Sequence, residues 1–117
     1  MFKIGQSDRF SYPVTVQIPG DNGKPSNYSF DAVFKRLSND EFVELSRAAK
    51  AGDLPDIDLV RDVLLGWKGI QDEDGNDMPF TEANRDLVLN IWPVTPSIVT
   101  AFLEANTPKG RSKNSRP

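Results

Sequence analysis

Four groups of residues in this chain have types and spacings that could do chemistry. Asp72-Glu73-Asp74-Gly75-Asn76-Asp77 crowds carboxylates as a hard cation requires, because calcium is held by clustered oxygen ligands. Its glycine stands at the wrong offset for a calcium loop, and no closing glutamate follows. Turn chemistry accounts for the stretch instead, with Asp74-Gly75 reversing the chain in an acidic, solvated loop. Gly20-Asp21-Asn22-Gly23-Lys24-Pro25-Ser26 is similar in outline to a phosphate-binding loop. Its spacing is too short, however, and Pro25 stands where a magnesium-holding hydroxyl belongs. Asp56, Asp58 and Asp62 fall in the first turns of an expected helix, where the helix dipole favours negative charge without any metal. The last group is aromatic: Trp67 lies on an apolar stripe and reads as core, whereas Trp92, beside Pro93, fits a core and an interface equally.

The chain has no histidine and no cysteine. That removes serine–histidine triads, thiolate nucleophiles and nearly every zinc, haem or iron–sulfur site. No catalytic, cofactor-binding or metal-binding residue is assigned, and the expectation is a binding protein rather than an enzyme. The candidate partner-binding residues are Trp92, Ile98 and Phe102, read as an apolar seam against which a partner helix docks.

These residues need a scaffold, and hydrophobic periodicity supplies it. Tyr12, Val14, Val16 and Ile18 alternate with polar residues or proline, the period of a strand with one buried face. Tyr28, Phe30, Ala32 and Phe34 do the same across the Asn22-Gly23 turn, which predicts an antiparallel hairpin. A lone hairpin is barely stable and needs a covering layer. Ser38-Asn39-Asp40-Glu41 has the form of a capping box and opens a helix expected over 39–51, with Gly52 as its stop. Asp53 is the expected cap of a second helix carrying Val60, Val63, Leu64 and Trp67 on one stripe and ending near Gly66 to Gly69. Trp67 to Ile70 and Met78 to Phe80 are candidates for a small hairpin around Asp74-Gly75. Thr81 caps a third helix presenting Ala83, Leu87 and Ile91 and ended by Pro93, and Thr95-Pro96 opens a fourth. The reading is therefore α+β: an N-terminal antiparallel β-hairpin packed on about four short α-helices.

At 117 residues the chain fits one domain, placed at 1–107, with 108–117 expected to be a disordered basic tail. No stretch approaches the about 20 apolar residues of a membrane span, and no secretory signal opens the chain. Formal net charge is −3, from 14 basic and 17 acidic residues. Lys109, Arg111, Lys113 and Arg116 put four of the bases in the tail, leaving 10 against 17 acids in the body, a net −7. An acidic body repels nucleic acid, so nucleic acid is an unlikely partner, reachable only through the tail.

Three stretches together resemble the tail assembly chaperones of long-tailed bacteriophages. The first is Phe30-Asp31-Ala32-Val33-Phe34-Lys35-Arg36-Leu37-Ser38-Asn39-Asp40-Glu41, a strand leading into a capped helix. The second is Val63-Leu64-Leu65-Gly66-Trp67-Lys68-Gly69-Ile70, followed by the acidic turn and Met78-Pro79-Phe80-Thr81-Glu82-Ala83-Asn84. The third is Pro96-Ser97-Ile98-Val99-Thr100-Ala101-Phe102, then a polar end containing Lys113-Asn114. The resemblance implies a non-enzymatic assembly factor without cofactor, working in the host cytoplasm and absent from the mature virion. It implies the tape measure protein as partner, held soluble until tail tube subunits polymerise around it, and it leaves contact with the tail tube protein and self-association open. A small structural component of the tail or virion and a nucleic-acid-binding module using the basic tail are the alternatives. Because the tail has nothing to bury, a chain ending at Pro108 is expected to keep its thermal midpoint within about 3 °C of the full chain by circular dichroism.

Overall fold

The computed structural model describes residues 2–108, so all of the expected basic tail except Pro108 lies outside the described residues. Strand β1 (Arg9–Ile18) pairs antiparallel with β2 (Ser26–Lys35) in one register, from Arg9 opposite Lys35 to Ile18 opposite Ser26. The expected hairpin is therefore present. Its reversal is a single 3-10 turn, Asp21–Gly23, in which Asn22 and Gly23 take φ of 60° and 72°. Asparagine and glycine tolerate that left-handed region best. A side chain at Gly20 would collide with the Lys24 carbonyl oxygen, so the turn closes only over glycine.

Period-two alternation sends Val14, Val16, Phe30, Ala32 and Phe34 to one face, where all are buried. Ser11, Pro13, Thr15, Gln17, Ser29 and Asp31 go to the other face, where all are exposed. Helices consequently cover one face only. Helix α1 (Asn39–Lys50) starts as expected: the Ser38 hydroxyl accepts from the Glu41 amide at 3.1 Å, and the Glu41 carboxylate accepts from the Ser38 amide at 2.9 Å. It contributes buried Leu45 and stacks Phe42 on Phe102 at 6.4 Å between ring centres.

Beyond α1 the chain departs from the expected pattern. Helix α2 (Asp56–Val63) begins after Pro55 with no side-chain cap, so Asp53 does not serve as one. It ends at Val63, and the residues expected to continue it form strand β3 (Leu64–Lys68) on the free edge of β2. The register runs Asp31 to Lys68, Ala32 to Trp67 and Val33 to Gly66, then slips so that Phe34 faces Leu64. Leu65 is thus the extra residue of a β-bulge, which lets Leu64 and Trp67 both face the core although they lie three apart. A bulged strand of this kind copies helical spacing, which is why the stripe Val60, Val63, Leu64, Trp67 reads as one helix. The small hairpin beyond it is present in reduced form, as a bridge between Gln71 and Asp77 with the Met78 amide donating to the Ile70 carbonyl at 2.9 Å.

Helix α3 (Glu82–Leu89) is capped by Thr81, whose hydroxyl accepts from the Asn84 amide at 3.1 Å. Helix α4 (Val94–Ala105) meets it at 100° and starts before the expected Thr95-Pro96 signal. The Thr95 hydroxyl donates instead to the Leu89 carbonyl at 2.9 Å, tying the end of α3 to the start of α4. Among the described residues the architecture is α+β, a three-stranded antiparallel sheet in the order β1-β2-β3 with four helices. Helix α4 packs along β1 and against α2, and Phe102 meets Phe34 edge-on at 5.2 Å. Among the described residues no single helix is long and apolar enough to cross a membrane.

Phe102 is the side chain at which sheet, α1 and α4 meet. Phe102→Ala is expected to cost about 3–5 kcal/mol, read as a lowered urea midpoint. Ser38→Ala, which removes one capping hydrogen bond from α1, is expected to cost about 1 kcal/mol in the same assay.

Candidate functional site

The structure separates the three residues of the expected seam. Trp92 is 71% exposed, whereas Ile98 and Phe102 are 0% and 1% exposed and belong to the core. No surface seam joins them, contrary to the expectation from sequence. The reason is angular: Trp92 precedes α4, in the turn where a cis peptide bond joins it to Pro93, while Ile98 and Phe102 lie on the face of α4 that meets the sheet. Trp67, by contrast, is buried as expected, with its indole N–H donating to the Met78 carbonyl at 2.7 Å and its ring edge-on to Phe80.

The apolar surface lies on α3 instead. Its sequence stripe, Ala83, Leu87 and Ile91, points to solvent, and the residues it buries are Val88 and Leu89. Leu87 is 62% exposed, and Ile91 is exposed in the turn that follows. Both line an open groove of about 460 Å³ whose opposite wall is the turn end of the hairpin. That wall carries Val16 and Ile18 from β1 and Tyr28 and Phe30 from β2, all on the helix-facing side of the sheet. Tyr28 is exposed although it shares a face with the core, because the helices stop short of this end. Gly69, Ile70 and Met78 close the groove along the third side.

One lip of the groove is acidic, formed by Asp72 and Glu73. The turn that carries them is pinned by its own hydrogen bonds. The Asp72 carboxylate accepts from the amides of Asp74 at 2.9 Å and Asn76 at 3.0 Å, and Gly75 takes φ of 83°. The sequence from Gly69 to Asn84 holds five acids and no base, so the local potential is negative. No ion pair reaches Asp72 or Glu73 among the described residues. On α1 two carboxylates have displaced titration. Ser38, first through its amide and then its hydroxyl, holds Glu41 below the ordinary glutamate range, and Arg47 does the same for Glu44. These are pairings that fix a helix.

Trp92 stands on the other side of the α3–α4 corner, over a second hollow of about 400 Å³ shared with Ile57, Asn90 and Pro96. Adjacent residues 91 and 92 thus address two different surfaces. What this surface can do is bury apolar side chains against Leu87, Ile91 and Tyr28 and oppose a positive charge at the lip. Comparison of the chain with protein-family models, with curated proteins and with solved structures finds no match.

The two tryptophans give the arrangement an optical check. A Trp92→Phe chain, emitting from Trp67 alone, is expected to show blue-shifted fluorescence protected from acrylamide. A Trp67→Phe chain that remains folded is expected to emit at longer wavelength and to be quenched readily.

Proposed function

We propose that this chain is a tail assembly chaperone of a long-tailed bacteriophage, a non-enzymatic protein that binds the tape measure protein and keeps it soluble while the tail tube assembles. The sequence resemblance over residues 28 to 114 suggests the role, and the observation that carries it physically is the open apolar groove bordered by Leu87, Ile91 and Tyr28. A helix that turns its apolar stripe outward loses burial it would gain by facing the core, roughly 25 cal/mol for each Å² left in water. Such an arrangement is expected where a partner supplies the missing cover.

The tape measure protein is a long helical chain whose apolar stripes aggregate when exposed, and a groove of this kind covers one short segment of such a stripe. A contact this small is reversible, which suits a factor that yields its client to the tube subunits and stays in the host cytoplasm, outside the finished virion. The negative body turns away nucleic acid during that exchange.

Co-expression with the tape measure protein of the same phage, followed by a solubility assay and pull-down, tests the reading. The wild-type chain is expected to bring the partner into the soluble fraction, and Leu87→Asp to reduce retention by about tenfold while leaving the circular dichroism spectrum unchanged. A partner that stays insoluble with the wild-type chain overturns the assignment.

A further inference from the structure

One segment of this chain has the chemistry that the groove lacks. Phe2 and Ile4 are the most exposed large apolar side chains in the described structure, at 85% and 93%, and Lys3 lies between them with no ion pair. The segment is tethered at Ser7 and Asp8: Arg36 donates from its side chain to the Ser7 carbonyl at 2.7 Å and from its amide to the Asp8 carbonyl at 2.9 Å. Towards the N-terminal side, the hydrogen bonds of residues 3–6 among the described residues are to one another.

Distance decides where this arm can bind. It is anchored beside Arg9, opposite Lys35, at the end of the hairpin away from the groove. Seven strand steps separate Arg9 from Val16 on the groove wall, or about 24 Å, whereas four extended residues carry Ile4 only about 14 Å from Asp8. Ile4, and Phe2 at no more than about 21 Å from Asp8, both fall short of the wall formed by Val16 and Tyr28 in their own chain. A two-fold pair with its hairpins antiparallel would set each arm at the end of the molecule where the groove of the other opens.

We propose that, when no client is bound, the arm of a second copy occupies the groove. Phe2 and Ile4 pack against Leu87, Ile91 and Tyr28, and Lys3 reaches to the lip formed by Asp72 and Glu73. The proposal rests on the reading of the groove as a docking site and adds its resting occupant. Charge complementarity argues for this occupant: the lip carries two carboxylates on a pinned turn, with no ion pair among the described residues, and the arm carries one cation between two apolar residues. Reciprocal exchange makes the protein a self-capped pair that opens when the client displaces the arms.

The test is a complementation experiment read by analytical ultracentrifugation. The wild-type chain is expected to sediment as a concentration-dependent dimer. Phe2→Asp/Ile4→Asp, without a functional arm, and Leu87→Asp, without a functional groove, are each expected to be monomeric. Mixed together they restore one arm–groove contact of the two, so a heterodimer weaker than the wild-type dimer is expected. Lys3→Glu is expected to weaken the wild-type dimer by about three- to tenfold, and raising the salt to roughly 0.5 M is expected to do likewise. A monomeric wild-type chain, or a mixture that stays monomeric, overturns the proposal. The client pull-down separates the two readings: the armless chain retains the tape measure protein if the groove holds clients, whether or not the pair exists.

Discussion

Strand β2 is the constraint on which the rest of the molecule depends. Among the described residues it is the one strand with a hydrogen-bonded neighbour on each edge, and its Phe30, Ala32 and Phe34 form the centre line of the core. Because the opposite face of the sheet is polar, all the helices must find room on one side. Four short helices do not cover a sheet whose two long strands run for 10 residues each. They concentrate over the middle and the Phe10–Phe34 end, where Phe34, Phe42 and Phe102 interlock, and leave Ile18 and Tyr28 at the turn end incompletely covered. The groove is that uncovered remainder. It arises from a shortage of covering helix, and its apolar floor is continuous with the core.

Much of this was legible in the sequence, and the failures have identifiable causes. The hairpin and α1 were readable because their signals are local: strict alternation, an Asn-Gly reversal and a capping box each act within a few residues. Strand β3 was not, because the extra residue at Leu65 converts a period of two into a spacing of three, and Val60 to Trp67 then matches a helix. The start of α4 was misplaced because a threonine before a proline has two uses, and here Thr95 ties back to Leu89 instead of capping.

The binding surface was the least legible part. Ile98, Phe102 and Trp92 are alike in sequence as large apolar residues, yet a single sequence does not say which apolar stripe of a helix finds a partner within the fold. Helix α3 shows the ambiguity most directly, since Leu87 stays in water while its neighbour Val88 is buried. Tyr28 and Phe30 likewise share one face and both line the groove, and only the point at which the helices stop leaves one exposed and the other buried. Exposure here is decided by long-range geometry, and no local signal carries it.

The bulge at Leu65 also bears on how such a chain can diverge. At most positions of the sheet, side-chain chemistry is what selection must preserve. At Leu65 it is the count of residues, because this one extra position sets the phase that carries Trp67 inward to meet Met78 and Phe80. Lineages of this protein would therefore tolerate exchanges of one apolar residue for another at Leu65 far more readily than loss of the codon. A gap at that site in an otherwise alignable relative would mark a rebuilt sheet edge and a displaced acidic lip.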